Sequence, residues 1–232
     1  MVTSNTNNGF DDKFIYVVKL VDDVNKKIIG EDWKSKKLLW QYTIMTETTE
    51  LVESLGFAWW KHSNTNIKDV SYKELLSNSK YDRDNVLIEL ADLLVFQISY
   101  ELSKGKKNIG GLTVMDEALH YDNIADQKLD IFVAAKENIE YMSMDSLSTL
   151  ISMCGFSADD VLDAVVIKSA LNNLRTSYGY KEGKYKKQWC YNGLEYEDNK
   201  VVNMLLKDVK VPDAYSVYKI IEDYYINTVL NQ

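Results

Sequence analysis

One proline, Pro212, interrupts 232 residues. Proline lacks a backbone donor and its ring fixes φ, so its near absence removes the strongest helix breaker from the chain. Ten glycines are the other punctuation, and between them apolar residues recur at spacings of three and four, the period of a helix with a buried face. The pattern predicts an all-α fold, a helical bundle with a core of carboxylate-bearing helices and a smaller helical insertion. Helices are expected at 13–29, 38–61, 70–77, 82–104, 113–122, 126–141, 144–153, 157–176, 197–207 and 213–230, with ends good to about 2–4 residues. Loops are expected at 30–36, 62–69, 105–111 and 177–196, and no alternation long enough for a strand competes. Residues 1–12, rich in Asn, Thr and Ser, are expected as a disordered tail. The domain then spans 13–232, with 105–167 as a mobile helical subdomain.

With 46% apolar residues the chain has ample material for a core. Its net charge of −8 argues against nucleic-acid binding, which rests on neutralising phosphates with Lys and Arg. No charge-free apolar run approaches the roughly 20 residues of a membrane helix. Residues 1–12 lack the basic-then-apolar order of a signal peptide, so the expected location is the cytoplasm, with no membrane partner. Cys154 and Cys190 have no CxxC spacing and are read as free thiols.

The segment VLIELADLLVFQIS, residues 86–99, holds two acids, Glu89 and Asp92, in otherwise apolar surroundings. A helix hydrophobic nearly all round is buried, and an isolated buried carboxylate costs several kcal/mol or takes up a proton. Upstream, TETTELVESLGFAWWK repeats acids at spacings of three: Glu47, Glu50 and Glu53. Residues three apart share a helix face, so Glu47 and Glu50 can aim at one point, with Glu53 further round. Such a row standing alone is most often a solvated face. Set opposite Glu89 and Asp92, it supplies the hard oxygen ligands that Mg²⁺ or Mn²⁺ prefers, and such ions commonly hold substrate phosphates. A di-iron bundle needs Glu-x-x-His pairs, and neither His62 nor His120 follows a Glu at that spacing.

An acidic chain also concentrates positive charge in KSALNNLRTSYGYKEGKYKKQW, residues 168–189, where Arg175, Lys181, Lys184, Lys186 and Lys187 lie close together. Gly179 and Gly183 permit tight turns there. A phosphate clamp and a solvated basic loop both fit this composition.

These segments, ELVESLGFAWWK, IELADLLVFQIS and above all N-x-x-R-x-x-x-GYKEGKYKKxW followed by EDN, resemble the all-α dimeric dUTPases of kinetoplastids, some bacteria and phages, related to the wider MazG-like pyrophosphatases. The resemblance runs in order from about Leu20 to Asn199. It implies a Mg²⁺-dependent enzyme, with Mn²⁺ able to substitute, that hydrolyses dUTP, and dUDP as well, to dUMP, releasing pyrophosphate from dUTP. It implies a homodimer of phage or bacterial origin that binds a deoxyuridine nucleotide. Glu47, Glu50, Glu89 and Asp92 match the family's metal ligands, with Glu53 a further acid, and Glu47 or Glu50 would be the catalytic base. Lys61, Arg175, Tyr180, Lys181, Tyr185 and Lys187 match triphosphate-contacting positions, with Lys168 a further candidate. Asn172 matches an active-site asparagine, and Asn25 with Trp60 falls where the family lines its nucleoside pocket.

Two departures concern base and sugar selectivity. The family's base-reading glutamine near Val21 or Asp22 is absent, and Val95 stands where a histidine often follows the second acid pair. A MazG-like pyrophosphatase for dCTP or a modified pyrimidine deoxynucleotide therefore stays open as an alternative. A protein-interaction module that binds a repressor is the alternative of another class.

Overall fold

A computed structural model describes residues 7–55, 83–107, 109–110, 112, 130–207, 209 and 213–231. The expected helices at 70–77 and 113–122, the histidines His62 and His120, and the candidate site residues Trp60 and Lys61 lie outside the described residues. The described elements are α1 (Asn7–Ile29), a short 3-10 turn (Trp33–Ser35), α2 (Trp40–Ser54), α3 (Arg83–Ser103), α4 (Asp130–Tyr141), α5 (Met144–Met153), α6 (Ala158–Ser177), β1 (Gln188–Tyr191), β2 (Leu194–Glu197), α7 (Asp198–Leu206) and α8 (Ala214–Tyr224), which runs into a π-helical turn (Tyr225–Leu230). Among the described residues the fold is all-α with one small hairpin. Two compact units are distinguished, Met1–Leu162 and Asp163–Gln232.

In the first unit the central pair is α2 packed on α3. Trp40, Ile44, Thr48 and Leu51 repeat at helical spacing along α2 and all are buried. On α3, Val86, Leu90, Leu93, Leu94 and Ile98 are each at most 1% exposed, and each such side chain contributes about 1.5–3 kcal/mol on burial. That apolar framework holds Glu89 at a fixed place on the helix. Trp33 meets Trp40 edge-on at 6.1 Å, and Trp40 meets Phe96 at 6.3 Å, so the turn after α1 is stapled to the same core. Helix α4 packs on α2 and α5 on α3, and residues 130–162 fall within the first unit.

Local signals explain the helix ends. Ser143 caps α5 by accepting from the Ser146 amide at 3.1 Å, and Ser146 returns the bond, a reciprocal cap that satisfies two of the donors left open at a helix start. Gly155, at φ +78°, closes the same helix, where the Phe156 amide reaches back to Ile151. Helix α1 begins at Asn7, six residues before the expected onset at 13, and takes in part of the expected tail. In the sequence, Phe10 extends the four-and-three spacing of Phe14, Val17 and Val21, and no proline stops the ladder.

The second unit corrects one expectation. The stretch 177–196, expected as a loop, contains β1 and most of β2, paired antiparallel with Trp189 opposite Tyr196 and Tyr191 opposite Leu194. The turn is Asn192-Gly193, with φ of +50° and +81°, the two left-handed residues that a tight hairpin requires. Trp189 and Tyr225 are fully buried and lie 5.4 Å apart, while Tyr185 stacks on Tyr225 at 5.0 Å. The Tyr225 hydroxyl accepts from the Lys186 amide at 3.0 Å, and the Lys186 ammonium donates to the Val229 carbonyl at 3.0 Å. The C-terminal helix thus anchors the middle of the basic segment.

Candidate active site

Glu47 and Glu50 lie on successive turns of α2, and Glu89 faces them from α3. One carboxylate oxygen from each lies within 4.8 Å of the others. Glu50 is exposed, Glu47 half-buried and Glu89 buried at 7% exposure. Charges at this spacing repel by up to about 3.5 kcal/mol per pair at an effective dielectric near 20, less where solvent screens the exposed Glu50, and a shared cation would offset that repulsion. Oxygens on opposite sides of an ion at about 2.1 Å are about 4.2 Å apart. The observed spread is thus within a small side-chain rotation of a shared Mg²⁺ or Mn²⁺. The oxygen-only donor set fits those ions and disfavours softer metals.

Three threonine hydroxyls beside these carboxylates are engaged within α2 itself. The hydroxyls of Thr46, Thr48 and Thr49 each return to the carbonyl four residues back, at 2.7–2.9 Å. Asn85, which the sequence reading missed, bridges the two helices: its amide nitrogen donates to the Ser54 hydroxyl at 2.5 Å and to Glu89 at 3.3 Å. It stands four residues before Glu89, on the same face of α3, and that spacing was its sequence signal. Asp92, one turn further along α3 and half-buried, stands outside the converging three. Glu53 is exposed on α2 and also stands outside them.

The positions tied to base reading are engaged structurally. Val21 is buried. Asp22 accepts from the Trp33 indole at 3.0 Å and pairs with Lys26 and Lys34, each at 2.9 Å. Burial pushes the Asp22 carboxyl up, but the bonds from Lys26, Lys34 and Trp33 together outweigh it and hold it below the usual range. Asn25 is buried and donates to the Ser99 hydroxyl at 2.8 Å. Val95 is half-buried on α3.

In the second unit, Arg175 near the end of α6 makes a two-pronged bond to Asp198: Nε to Oδ2 at 2.8 Å and Nη2 to Oδ1 at 2.7 Å. Its Nη1 donates to Asn172 Oδ1 at 3.2 Å, and its guanidinium lies 5.8 Å from the Tyr180 ring centre. Burial opposes the Arg175 charge, but Asp198 outweighs this and strengthens it. Tyr185 is buried and donates to Asp198 Oδ2 at 2.8 Å; burial, then the Asp198 charge, pushes its phenol well up, so it stays a neutral donor. Asn172, Arg175, Tyr180 and Tyr185 therefore form one group around Asp198, a residue the sequence reading quoted within EDN but assigned no role. Gly179, at φ +77°, makes the turn out of α6, with the Tyr180 amide bonded to the Arg175 carbonyl at 2.9 Å. Lys181 is exposed, Lys168 is half-buried, and Lys187 pairs with Glu197 at 3.2 Å, an exposed pair worth little in stability.

A family profile described as dUTPase matches residues 16–180. The matched span takes in the acids on both helices, Asn172 and Arg175, and stops before Lys181, Tyr185, Lys187 and Asp198. No curated protein matches the chain.

Proposed function

The chain belongs to the all-α dUTPase family and is a dUTP diphosphatase; from that premise we propose that Glu47, Glu50 and Glu89, completed by Asp92, bind Mg²⁺ and carry the hydrolysis of dUTP, and of dUDP, to dUMP. The observation that supports this most is the convergence of three carboxylates from two helices within 4.8 Å. When bound, the divalent ion supplies charge neutralisation on the phosphate oxygens and lowers the pKa of a water. Mn²⁺ substitutes.

The chain's own residues do the rest. Glu89, held by Asn85, is the fixed member of the group, and Glu50, exposed, or Glu47 orients the attacking water and takes its proton. Arg175, Tyr180, Lys181, Tyr185 and Lys187, with Lys61 and Lys168, hold the polyphosphate. Asn172, Asn25 and Trp60 are the candidates for nucleoside recognition. Attack falls on the β-phosphorus, so reaction in ¹⁸O-water places the label in pyrophosphate; label in dUMP contradicts it. The protein acts as a homodimer in the cytoplasm. No described helix is long and apolar enough to cross a membrane.

Val21, which is buried, and Asp22, tied to Trp33, Lys26 and Lys34, lie near where the family usually reads the base with a glutamine, which favours a second reading in which the pocket also accepts dCTP or a modified pyrimidine. Pyrophosphate release from dUTP, dCTP, dTTP and UTP, with Mg²⁺ and with chelator, tests both. Preference for dUTP with loss of all turnover in chelator is expected. Turnover undiminished by chelator refutes the metal role, and a stronger dCTP reaction selects the second reading.

A further inference from the structure

We propose that Asp198 is a positioning residue for polyphosphate binding: it holds the Arg175 guanidinium in the orientation that leaves its remaining donors to a phosphate, and it fixes Tyr185 beside it. The proposal rests on the reading that Arg175 contacts the polyphosphate.

Asp198 is fully buried at the start of α7, where an unpaired carboxylate would be costly. It is saturated. Oδ1 accepts from Arg175 Nη2 and from the Asn199 amide at 2.8 Å; Oδ2 accepts from Arg175 Nε and Tyr185. Its backbone amide donates to the Lys187 carbonyl at 2.9 Å. One residue therefore touches Arg175, Tyr185 and Lys187, three of the groups assigned to the polyphosphate.

A guanidinium has five N–H donors. Two go to Asp198 and one to Asn172, which leaves one on each terminal nitrogen, as many as a two-pronged phosphate contact needs. The Arg175–Asp198 pair is neutral as a whole, so Arg175 contributes direction more than net charge. The lysines contribute the charge. Such a role differs from packing, because it acts on the substrate chiefly through the Arg175 guanidinium, with Tyr185 secondary, and only on its phosphates.

The test compares kcat and KM for dUTP in the parent enzyme, Asp198→Asn, Arg175→Gln and the double variant, each well below its own melting midpoint. Inhibition by deoxyuridine, which has no phosphate, is measured alongside. Asp198→Asn should lower kcat/KM about 10- to 100-fold, and in the Arg175→Gln background the same change should cost less than about threefold. Deoxyuridine inhibition should be unchanged.

Multiplying losses in the double variant, equal weakening of deoxyuridine, or an Asp198→Asn enzyme with parental kcat/KM would each overturn the proposal. A fully active Arg175→Gln enzyme would remove the polyphosphate role of Arg175 itself, and the proposal with it. Arg175→Lys keeps the ion pair and thus decides the matter if Asp198→Asn fails to fold: lysine cannot form the fork, so a loss of about tenfold or more is expected, and parental activity overturns the proposal.

Discussion

Glu89→Gln should make the metal-free protein more stable while abolishing its activity. The carboxylates of Glu47, Glu50 and Glu89 lie within 4.8 Å of one another, so at an effective dielectric near 20 Glu89 takes part in two repulsions of about 3.5 kcal/mol each. Glu50 is exposed and Glu47 half-buried, and solvent screening reduces such terms to a fraction of that figure. A net gain of about 1–2 kcal/mol is the expectation, or roughly 2–8 °C in melting midpoint for a chain of this size. Glutamine keeps the Glu89 shape, and its Oε1 still accepts from Asn85. Mg²⁺ should reverse the order. An ion at about one hundred times its dissociation constant stabilises the parent by about 2.7 kcal/mol, and the variant should lose that increment. Thermal unfolding of both proteins in chelator and across a Mg²⁺ titration, followed by circular dichroism, reads all four values. A variant that melts below the parent in chelator, or one that Mg²⁺ stabilises as much as the parent, would show that repulsion around a shared ion is not what these carboxylates experience.

Asn85→Ala should cost about 1 kcal/mol by removing the bridge from Ser54 to Glu89, and should reduce turnover several-fold; denaturant unfolding and pyrophosphate release measure the two effects. Gly179→Ala should destabilise by about 1–2 kcal/mol, because φ is +77° and the added methyl would stand 3.2 Å from the Lys184 Cβ; equal denaturation midpoints would contradict this. Asp22 has a depressed pKa, so its contribution is present above the ordinary aspartate value near 3.9 and is lost as pH falls through the lower folded value. Asp22→Asn should therefore flatten the acid side of the stability profile below about pH 4, and an unchanged slope there would contradict the assignment.

Periodicity carried most of the fold because α2 and α3 follow it closely where they meet. Trp40, Ile44, Thr48 and Leu51 mark one face, and α3 is apolar nearly all round, as a buried helix must be. The hairpin was missed although its signal was present: Asn192-Gly193 between QWCY and LEYE is a two-residue turn motif, but four-residue strands are too short for alternation to register. The convergence of Glu47, Glu50 and Glu89 was legible because Glu89 is a charge in an apolar segment, which needs a reason, and Glu47 and Glu50 share a helix face. Asp198 was not, and Asn85 only through its spacing of four from Glu89, since a neutral amide on a helix and an aspartate at a helix start are both ordinary in sequence. Their roles depend on partners 31 and 23 residues away, and only the folded chain brings these together.

Anomalous diffraction from crystals grown with Mn²⁺ and a non-hydrolysable dUTP analogue is the most direct measurement. A peak about 2.1 Å from a carboxylate oxygen of each of Glu47, Glu50 and Glu89, bridging to the analogue's phosphates, is the predicted result. Manganese bound elsewhere, with those three side chains turned to solvent, would contradict the account.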